Sequence, residues 1–267
     1  MSALASLGAK LKGTPMQYRW PRRLWIVRHG ESTGNVARQA AIDAGSPEIN
    51  IDHRDIDVPL SPRGETQAVA LGRWFARNSA DGLPEVVLTS PYARAHATAR
   101  LITQHGGFSD AEFSADERLR EKEFGVLDRL TTAGIQERFP EQARFRSLLG
   151  KFYHRPPAGE SWCDVILRLR SFMDTVGLHH GGQDVLVVSH QVVVLCLRYL
   201  LERLSEEEIL EIDREGDVAN CSVTQYEFSE MRRKGGELLL KKYNFLAPLH
   251  EERAPVTAEP PVADALR

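Results

Sequence analysis

Three short apolar runs punctuate a chain in which hydrophobic and polar residues are otherwise mixed. They span Leu24 to Val27, Val86 to Thr89 and Val185 to Val188. Continuous apolar runs of this length are typical of strands that are buried on both faces. Helix-like segments follow them, such as PYARAHATARLI after the second and QVVVLCLRYLLERL after the third. Strands that alternate with helices predict an α/β fold with a mostly parallel sheet covered by helices.

The beginnings of two further helices can be placed from their capping residues. Ser61 precedes Pro62 in LSPRGETQAVALGRWFARN, which predicts a helix with serine at the N-cap and proline in the first turn. Ser205 and Glu208 form a capping-box pattern in SEEEILEI. The stretch from Ala40 to Pro59 has little periodicity and mixed charge, and we interpret it as a long loop between the first strand and its helix.

The pattern predicts a single folded unit with extensions at both ends. CSVTQYEF and ELLLKKYNF flank the turn-rich EMRRKGG and predict a closing β-hairpin. Residues 1–21 and the Ala/Pro-rich 249–267 show no packing period. We therefore expect an N-terminal extension over 1–21, a folded domain over 22–248 and a flexible C-terminal tail over 249–267.

The composition describes an ordinary globular protein. Of 267 residues, 42% are hydrophobic and 27% charged, and the net charge of −3 offers no basic excess for nucleic acid. No run approaches the about 20 apolar residues that span a bilayer, and the first residues lack a signal-peptide pattern, so we expect no membrane partner. The three cysteines, Cys163, Cys196 and Cys221, form no CxxC pair, which argues against disulfides and zinc and favours a cytoplasmic location.

Basic side chains occur where each of the three strands ends. Arg28 and His29 follow the first run, Arg94 follows the second and His190 follows the third. Taken alone, each is more often a structural or solvated residue. The carboxyl ends of parallel strands share one edge, however, so these groups are expected to meet there. Guanidinium groups bind phosphate oxygens and imidazole can act as a nucleophile, which suggests phosphoryl transfer through a phosphohistidine.

The stretch LWIVRHGESTGN, residues 24–35, resembles the signature of the histidine phosphatase superfamily, the phosphoglycerate-mutase-like enzymes. Further landmarks of that family follow in order over roughly residues 23 to 228: LSPRGETQA, TSPYARAHATA, LREKEFG, PPAGESWCDVILR and VLVVSHQ. The resemblance implies a three-layer α/β/α sandwich around a mostly parallel sheet. It also implies a phosphatase that needs neither a metal nor another cofactor.

The resemblance assigns roles to particular residues. His29 matches the nucleophile that becomes phosphorylated, and Arg28, Arg94 and His190 match the groups around the transferred phosphoryl. Asn35 matches a further phosphate contact. Glu121 matches the carboxyl group that protonates the leaving oxygen and later activates water, a role that needs a pKa raised toward neutrality.

Two of these assignments stay open at the level of sequence. Glu123 lies two residues beyond Glu121 and is an alternative acid, although the spacing to Gly125 favours Glu121. Gln191 stands where many family members have glycine after the second histidine. In this it resembles the fructose-2,6-bisphosphatase branch, and we include Gln191 among the substrate-binding candidates.

Three functions are compatible with these residues. The first is hydrolysis of a small phosphorylated metabolite, such as a sugar phosphate or bisphosphate. The chain between Glu121 and Gly159 is short and leaves little to exclude water, which favours hydrolysis. The others are a phosphoglycerate mutase that needs a bisphosphate primer and a binding protein without catalysis. No GxxxxGK[ST] motif occurs, so the kinase half of bifunctional relatives is absent from this sequence. The oligomeric state is not indicated.

Overall fold

A six-stranded sheet forms the centre of the protein in the computed structural model, which describes residues 19–231 and 235–258. Its strands, in chain order, are β1 (Arg23–Arg28), β2 (Val86–Thr89), β3 (Glu112–Ala115), β4 (Asp184–Ser189), β5 (Val223–Ser229) and β6 (Glu237–Phe245). They lie in the order β3-β2-β4-β1-β5-β6. The first four strands are parallel to one another, whereas β5 pairs antiparallel with both β1 and β6. The predictions of a mostly parallel sheet and a closing hairpin are therefore confirmed.

Helices cover the sheet on both faces. They are α1 (Thr33–Asp43), α2 (Pro62–Arg77), α3 (Ala93–Gly106), α4 (Thr132–Arg138), α5 (Pro140–Tyr153), α6 (Trp162–His179), α7 (Gln191–Glu202), α8 (Glu206–Glu215) and α9 (Ala247–Glu251). Successive side chains of a strand point to opposite faces. Leu24 and Ile26 accordingly pack with α6 and α7, whereas Trp25 and Val27 pack with α2 and α3. This confirms the three-layer α/β/α sandwich.

Side-chain caps begin α2 and α8 where the sequence predicted them. Ser61 Oγ accepts a hydrogen bond from Gly64 N–H, with Pro62 in the first turn. Ser205 accepts from Glu208 N–H while the Glu208 carboxylate accepts from Ser205 N–H. Each cap satisfies donors that the helix itself leaves unpaired.

The interpretation of Ala40 to Pro59 as a loop between β1 and its helix is wrong for its first residues. The helix after β1 is α1, which begins at Thr33 and includes residues 40–43. Ser32 and Asn35 cap it reciprocally, but Ala41 is its one buried residue, so no apolar period reveals the helix. Residues 44–61 connect α1 to α2 and contain a 3-10 turn, Asp55–Asp57.

Residues beyond 248 also pack against the core. Leu249 of α9 is fully buried beside α2, and Ala254 is buried in the same cluster. Trp20, inside the expected N-terminal extension, packs on the opposite core cluster. Residues 1–18 and 259–267 of the two expected extensions lie outside the described residues. Among the helices described, none has the length and hydropathy of a membrane span.

Candidate active site

Both histidines lie at the carboxyl edge of the sheet, where neighbouring strands end. His29 directly follows β1, and His190 follows β4 as the N-cap of α7. Their ring centroids are 5.1 Å apart. Arg94 reaches the same point from the first turn of α3, and Arg28 is the last residue of β1. The four basic residues predicted to meet are therefore adjacent.

His29 is held in one tautomer. Its Nδ1 lies 2.7 Å from the carbonyl oxygen of Gly30, which can only accept a hydrogen bond. Nδ1 therefore carries the proton and donates a hydrogen bond to that oxygen. Arg94 Nε donates to His29 Nε2 at 3.3 Å. Burial, together with the positive charges of Arg94 and Arg28, lowers the pKa of His29 well below its ordinary value. His29 is therefore neutral at pH 7, with its lone pair on Nε2.

His190 offers one ring nitrogen to a ligand. The residue is fully buried, and its Nε2 lies 2.8 Å from Ser90 Oγ. Within the described part of the chain, His190 Nδ1 has no hydrogen-bond partner. Burial and the nearby charge of Arg94 lower the pKa of this histidine as well. Because a buried polar atom is normally satisfied, Nδ1 is a candidate for contact with a ligand.

The two arginines are fixed in place by backbone oxygens. Arg28 Nη1 donates to the carbonyl oxygen of Val218 at 2.6 Å. Arg94 Nη1 donates to the carbonyl oxygen of Asp55 at 2.6 Å, and its guanidinium carbon lies 5.0 Å from the centre of the Tyr92 ring. Both arginines are almost completely buried. Their charges are held rigidly beside His29, as phosphoryl transfer requires.

Glu121 lines the cavity that contains these groups, whereas Glu123 does not. Glu121 accepts a hydrogen bond from Lys122 N–H at 2.8 Å. Burial raises its pKa, although that hydrogen bond and the charges of Arg94 and Arg28 oppose the change. Glu123 instead accepts from Tyr92 Oη–H at 3.0 Å. The geometry thus favours Glu121 as the acid.

Asn35 and Gln191 also line the cavity. Asn35 Oδ1 accepts from Ser32 N–H at 2.9 Å and so caps α1. Gln191 is the first residue of α7, and its Nε2 donates to Asp217 Oδ1 at 2.6 Å. Gln191 Oε1 is buried and without a hydrogen-bond partner in the described residues. Both positions are compatible with substrate contact, and their roles stay predictions.

The cavity has a volume of about 290 Å³ and contains basic residues that sequence reasoning missed. Among them are Lys122, Arg146 and Lys151. Asp55, also missed, lies at the same cavity and forms an ion pair with Arg94. Lys122 stands between two acidic residues in the sequence, and only the fold shows that it faces the cavity. In the part of the chain that the structure describes, no group of three His, Cys, Asp or Glu residues is arranged to hold a metal ion.

Known proteins with similar sequences are phosphatases and mutase-like proteins. A probable fructose-2,6-bisphosphatase from Schizosaccharomyces pombe is 32% identical over 188 residues, which cover 70% of this chain and 40% of that protein. The chain thus spans well under two thirds of that relative. A phosphoglycerate mutase-like protein from Arabidopsis thaliana is 29% identical over 222 residues, 75% of this chain and 72% of that protein.

Solved structures share the fold. A mycobacterial glucosyl-3-phosphoglycerate phosphatase in complex with VO3 is 27% identical and covers 84% of this chain and 99% of its own, with a TM-score of 0.64. The sequence profile of the histidine phosphatase superfamily, branch 1, matches residues 24–238. The chain therefore belongs to the histidine phosphatase superfamily.

Proposed function

We propose that this protein hydrolyses a small phosphomonoester through a phosphohistidine at His29, without a metal ion. The observation that carries the proposal is the neutral, single-tautomer His29, whose Nε2 accepts a hydrogen bond from Arg94 and whose ring lies close enough to Arg28 to feel its charge. Family membership and the phosphatase names of several relatives support a phosphoric monoester hydrolase. The free cysteines suit a reducing, cytoplasmic compartment.

In the first step, the Nε2 lone pair of His29 forms a bond to phosphorus as the ester P–O bond breaks. Arg28, Arg94 and His190 Nδ1 surround the position where the phosphoryl oxygens gather charge. Glu121 acts in its protonated form, which burial favours by raising its pKa, and gives its proton to the departing alkoxide. The products are an alcohol, a phosphohistidine and the Glu121 carboxylate.

The second step reverses these proton movements. The Glu121 carboxylate removes a proton from water as the water oxygen bonds to phosphorus and the Nε2–P bond breaks. Inorganic phosphate leaves, His29 regains its lone pair and Glu121 regains its proton. A single carboxyl group thus acts as acid and then as base, which explains why the raised pKa of Glu121 matters.

The cavity also favours a substrate with a second anionic group. Lys122 is 6% exposed, and within the described residues it has neither an ion pair nor a hydrogen bond through its ammonium group. Its Nζ lies 4.6 Å from the centre of the Phe124 ring. Burial and the charge of Arg146 lower the pKa of Lys122 to about 8, so most of the group is still charged at pH 7. A buried cation without a carboxylate partner is stabilised when an anion binds.

Two further cations lie on the same cavity. Burial lowers the pKa of Arg146 and of Lys151, and the Lys151 ammonium pairs with Asp213. Together with Lys122 they bring three cationic side chains to the cavity besides Arg28 and Arg94. We infer that the substrate is a small bisphosphate or a phosphate ester that carries a carboxylate.

The test is hydrolysis of a panel of phosphate esters by the wild type and His29→Ala in the presence of a metal chelator. The panel pairs monophosphates with bisphosphates and includes 3-phosphoglycerate. We expect chelator-resistant phosphate release from the wild type alone, faster with the bisphosphates, and a ³²P-labelled, acid-labile phosphoenzyme that His29→Ala lacks.

Other outcomes would contradict the proposal in identifiable ways. Hydrolysis that persists in His29→Ala would exclude the phosphohistidine. Isomerisation of 3-phosphoglycerate that depends on a bisphosphate primer, without net hydrolysis, would replace the hydrolase by a mutase. Tight phosphate binding without turnover of any ester would indicate a binding protein.

A further inference from the structure

Two buried side-chain amides hold the backbone of the nucleophile loop, residues 29–31. Gln67 Oε1 accepts a hydrogen bond from Glu31 N–H at 2.8 Å. Asn220 Nδ2 donates to the carbonyl oxygen of His29 at 2.9 Å. Both amides are essentially inaccessible to solvent. Hydrogen bonds therefore fix the backbone of the loop on both sides of Gly30.

Thr257 connects these two amides from a segment far along the chain, residues 254–257, which we call the strap. Its hydroxyl donates to Asn220 Oδ1 at 3.0 Å and accepts from Gln67 Nε2 at 2.7 Å. Asn220 N–H also donates to the carbonyl oxygen of Thr257 at 2.9 Å, and Gln67 Nε2 donates to that of Pro255 at 3.0 Å.

The hydrogen bonds run in one direction through the network. Glu31 N–H donates to Gln67, Gln67 to Thr257, Thr257 to Asn220, and Asn220 to the carbonyl of His29. An amide can be satisfied in either of two flipped orientations only if its partners permit both. Here the strap supplies acceptors to Gln67 Nε2 and a donor to Asn220 Oδ1. It thereby selects the orientation in which both amides bind the loop.

The orientation of the loop backbone controls the nucleophile directly. The N–H of Glu31 and the C=O of Gly30 belong to one planar peptide unit. The Gly30 oxygen is the acceptor that holds His29 Nδ1 at 2.7 Å. When Gln67 fixes the Glu31 N–H, it therefore also fixes the oxygen that sets the imidazole tautomer and the direction of Nε2.

We propose that Thr257 is a positioning residue for His29, and that the strap keeps the nucleophile aligned by holding Gln67 and Asn220. The catalytic consequence rests on the proposed phosphohistidine mechanism, whereas the effect on the His29 ring does not. Thr257 itself touches neither substrate nor His29. Its effect passes through two amides and one peptide unit.

The experiment compares Thr257→Val, which keeps the side-chain volume but removes the hydroxyl, with Thr257→Ser, which restores it. Thr66→Val is the matched control, because Thr66 is an exposed α2 residue whose hydroxyl bonds to the carbonyl oxygen of Pro62. We expect Thr257→Val to slow phosphoenzyme formation about tenfold, since small misalignments of a reacting group reduce rate strongly. KM should change less than about twofold, and Thr257→Ser and Thr66→Val should stay near wild type.

A second readout does not depend on turnover. Long-range ¹H–¹⁵N spectra of histidine-labelled protein, with the His29 signals assigned by their loss in His29→Ala, report the tautomer of the ring. We expect a Nδ1–H signal in the wild type and a mixture of tautomers in Thr257→Val. Both measurements are made well below the melting temperature of each variant, and Thr257→Ala replaces Thr257→Val if valine prevents folding.

The results distinguish the proposed hydrolase function from the proposed positioning role of Thr257. If the wild type hydrolyses no ester but Thr257→Val alters the His29 tautomer, the proposed function fails and the positioning role stands. If Thr257→Val leaves both the tautomer and the phosphorylation rate unchanged, the positioning role is wrong, even when the melting temperature falls. A loss that Thr257→Ser does not rescue would equally contradict it.

Discussion

Arg94 Nη1 lies 3.0 Å from Oδ1 of Asp55, a residue of the 3-10 turn in the connection between α1 and α2. The Asp55 carboxylate therefore forms an ion pair with the same guanidinium group that binds phosphate in the proposed mechanism. Both anions compete for one cation, and their like charges repel each other. We therefore expect Asp55 to weaken phosphate binding.

We expect Asp55→Ala to bind inorganic phosphate about threefold to tenfold more tightly, because a competing and repelling charge is removed. The competitive inhibition constant for phosphate measures this. Asp57→Ala is the control, since Asp57 belongs to the same turn but pairs with Arg54. Unchanged or weaker inhibition in Asp55→Ala would show that the carboxylate moves away when phosphate binds.

Glu121→Gln should retain phosphate binding and lose turnover by about 10²- to 10⁴-fold, because the amide can neither protonate the alcohol nor activate water. With p-nitrophenyl phosphate, whose leaving group needs little protonation, phosphohistidine should accumulate in Glu121→Gln. Quenched-flow trapping of labelled enzyme detects it. Glu123→Gln, which removes the carboxylate that accepts from Tyr92, should turn over normally; the reverse pattern would assign the acid to Glu123.

The proposed mechanism predicts a bell-shaped dependence of kcat/KM on pH. His29 must be neutral, and its pKa is lowered by burial and by Arg94, so the acid limb should lie below the ordinary histidine value of 6.5. Glu121 must be protonated, and burial raises its pKa, so the alkaline limb should lie above the ordinary carboxyl value of 4.5. The pH profile is measured with two esters whose phosphate groups have different pKa values. A limb that comes from the enzyme keeps its position with both esters, whereas a limb that comes from the substrate moves. An acid limb above pH 6.5 for both esters would contradict a desolvated His29.

Lys122→Met should raise KM for a bisphosphate about tenfold to 100-fold, because a hydrogen bond to a charged group contributes about 1.5–3 kcal/mol. KM for the corresponding monophosphate should change little. Steady-state kinetics on the pair of esters measures the difference. Lys241→Met, at a half-exposed position on β6, is the control. An equal rise of KM for both esters would mean that Lys122 contacts the transferred phosphate.

Asp184 should contribute stability that depends on pH. Burial raises the pKa of this carboxyl, but its hydrogen bonds and ion pairs with Arg22 and Arg23 outweigh burial and leave the pKa lowered. A lowered folded-state pKa gives stability above the unfolded-state value of about 3.9 that is lost as the pH falls through the folded-state value.

Asp184→Asn should accordingly lower the free energy of unfolding by about 2 kcal/mol at pH 7. Below pH 4 the difference from wild type should shrink, because the wild-type carboxyl also becomes neutral. Urea unfolding at both pH values measures it, with the exposed Asp110→Asn as control. A difference that is constant with pH would show that packing, not charge, is responsible.

The parts of this structure that could be predicted from sequence are those that a local pattern determines. β2 has the predicted bounds, and His29, Arg94 and His190 meet because parallel strands end at one edge. α1 was not predicted over its full length because it has a single buried residue and so shows no apolar period. The contact of Asp55 with Arg94 joins residues 39 positions apart, and no local pattern indicates it.

The packing of the strap could not be predicted either, because it depends on contacts between distant residues and not on a local pattern. Residues 249–257 include three charged residues, and their sequence lacks a period because the segment packs through isolated contacts. Leu249 and Ala254 are buried five positions apart, and Thr257 binds two amides that are distant in sequence. Such contacts depend on the assembled tertiary structure, which a reading of neighbouring residues does not contain.

The position of β1 inside the sheet has a consequence for how the protein is made. β1 is synthesised well before its two neighbours, β4, which begins at Asp184, and β5, which begins at Val223. Pairings so distant in sequence close late. During synthesis His29 therefore lacks the strand partners of β1 until β4 and β5 have been translated. Nascent chains that stop before β4 carry the signature residues of the enzyme but no active site.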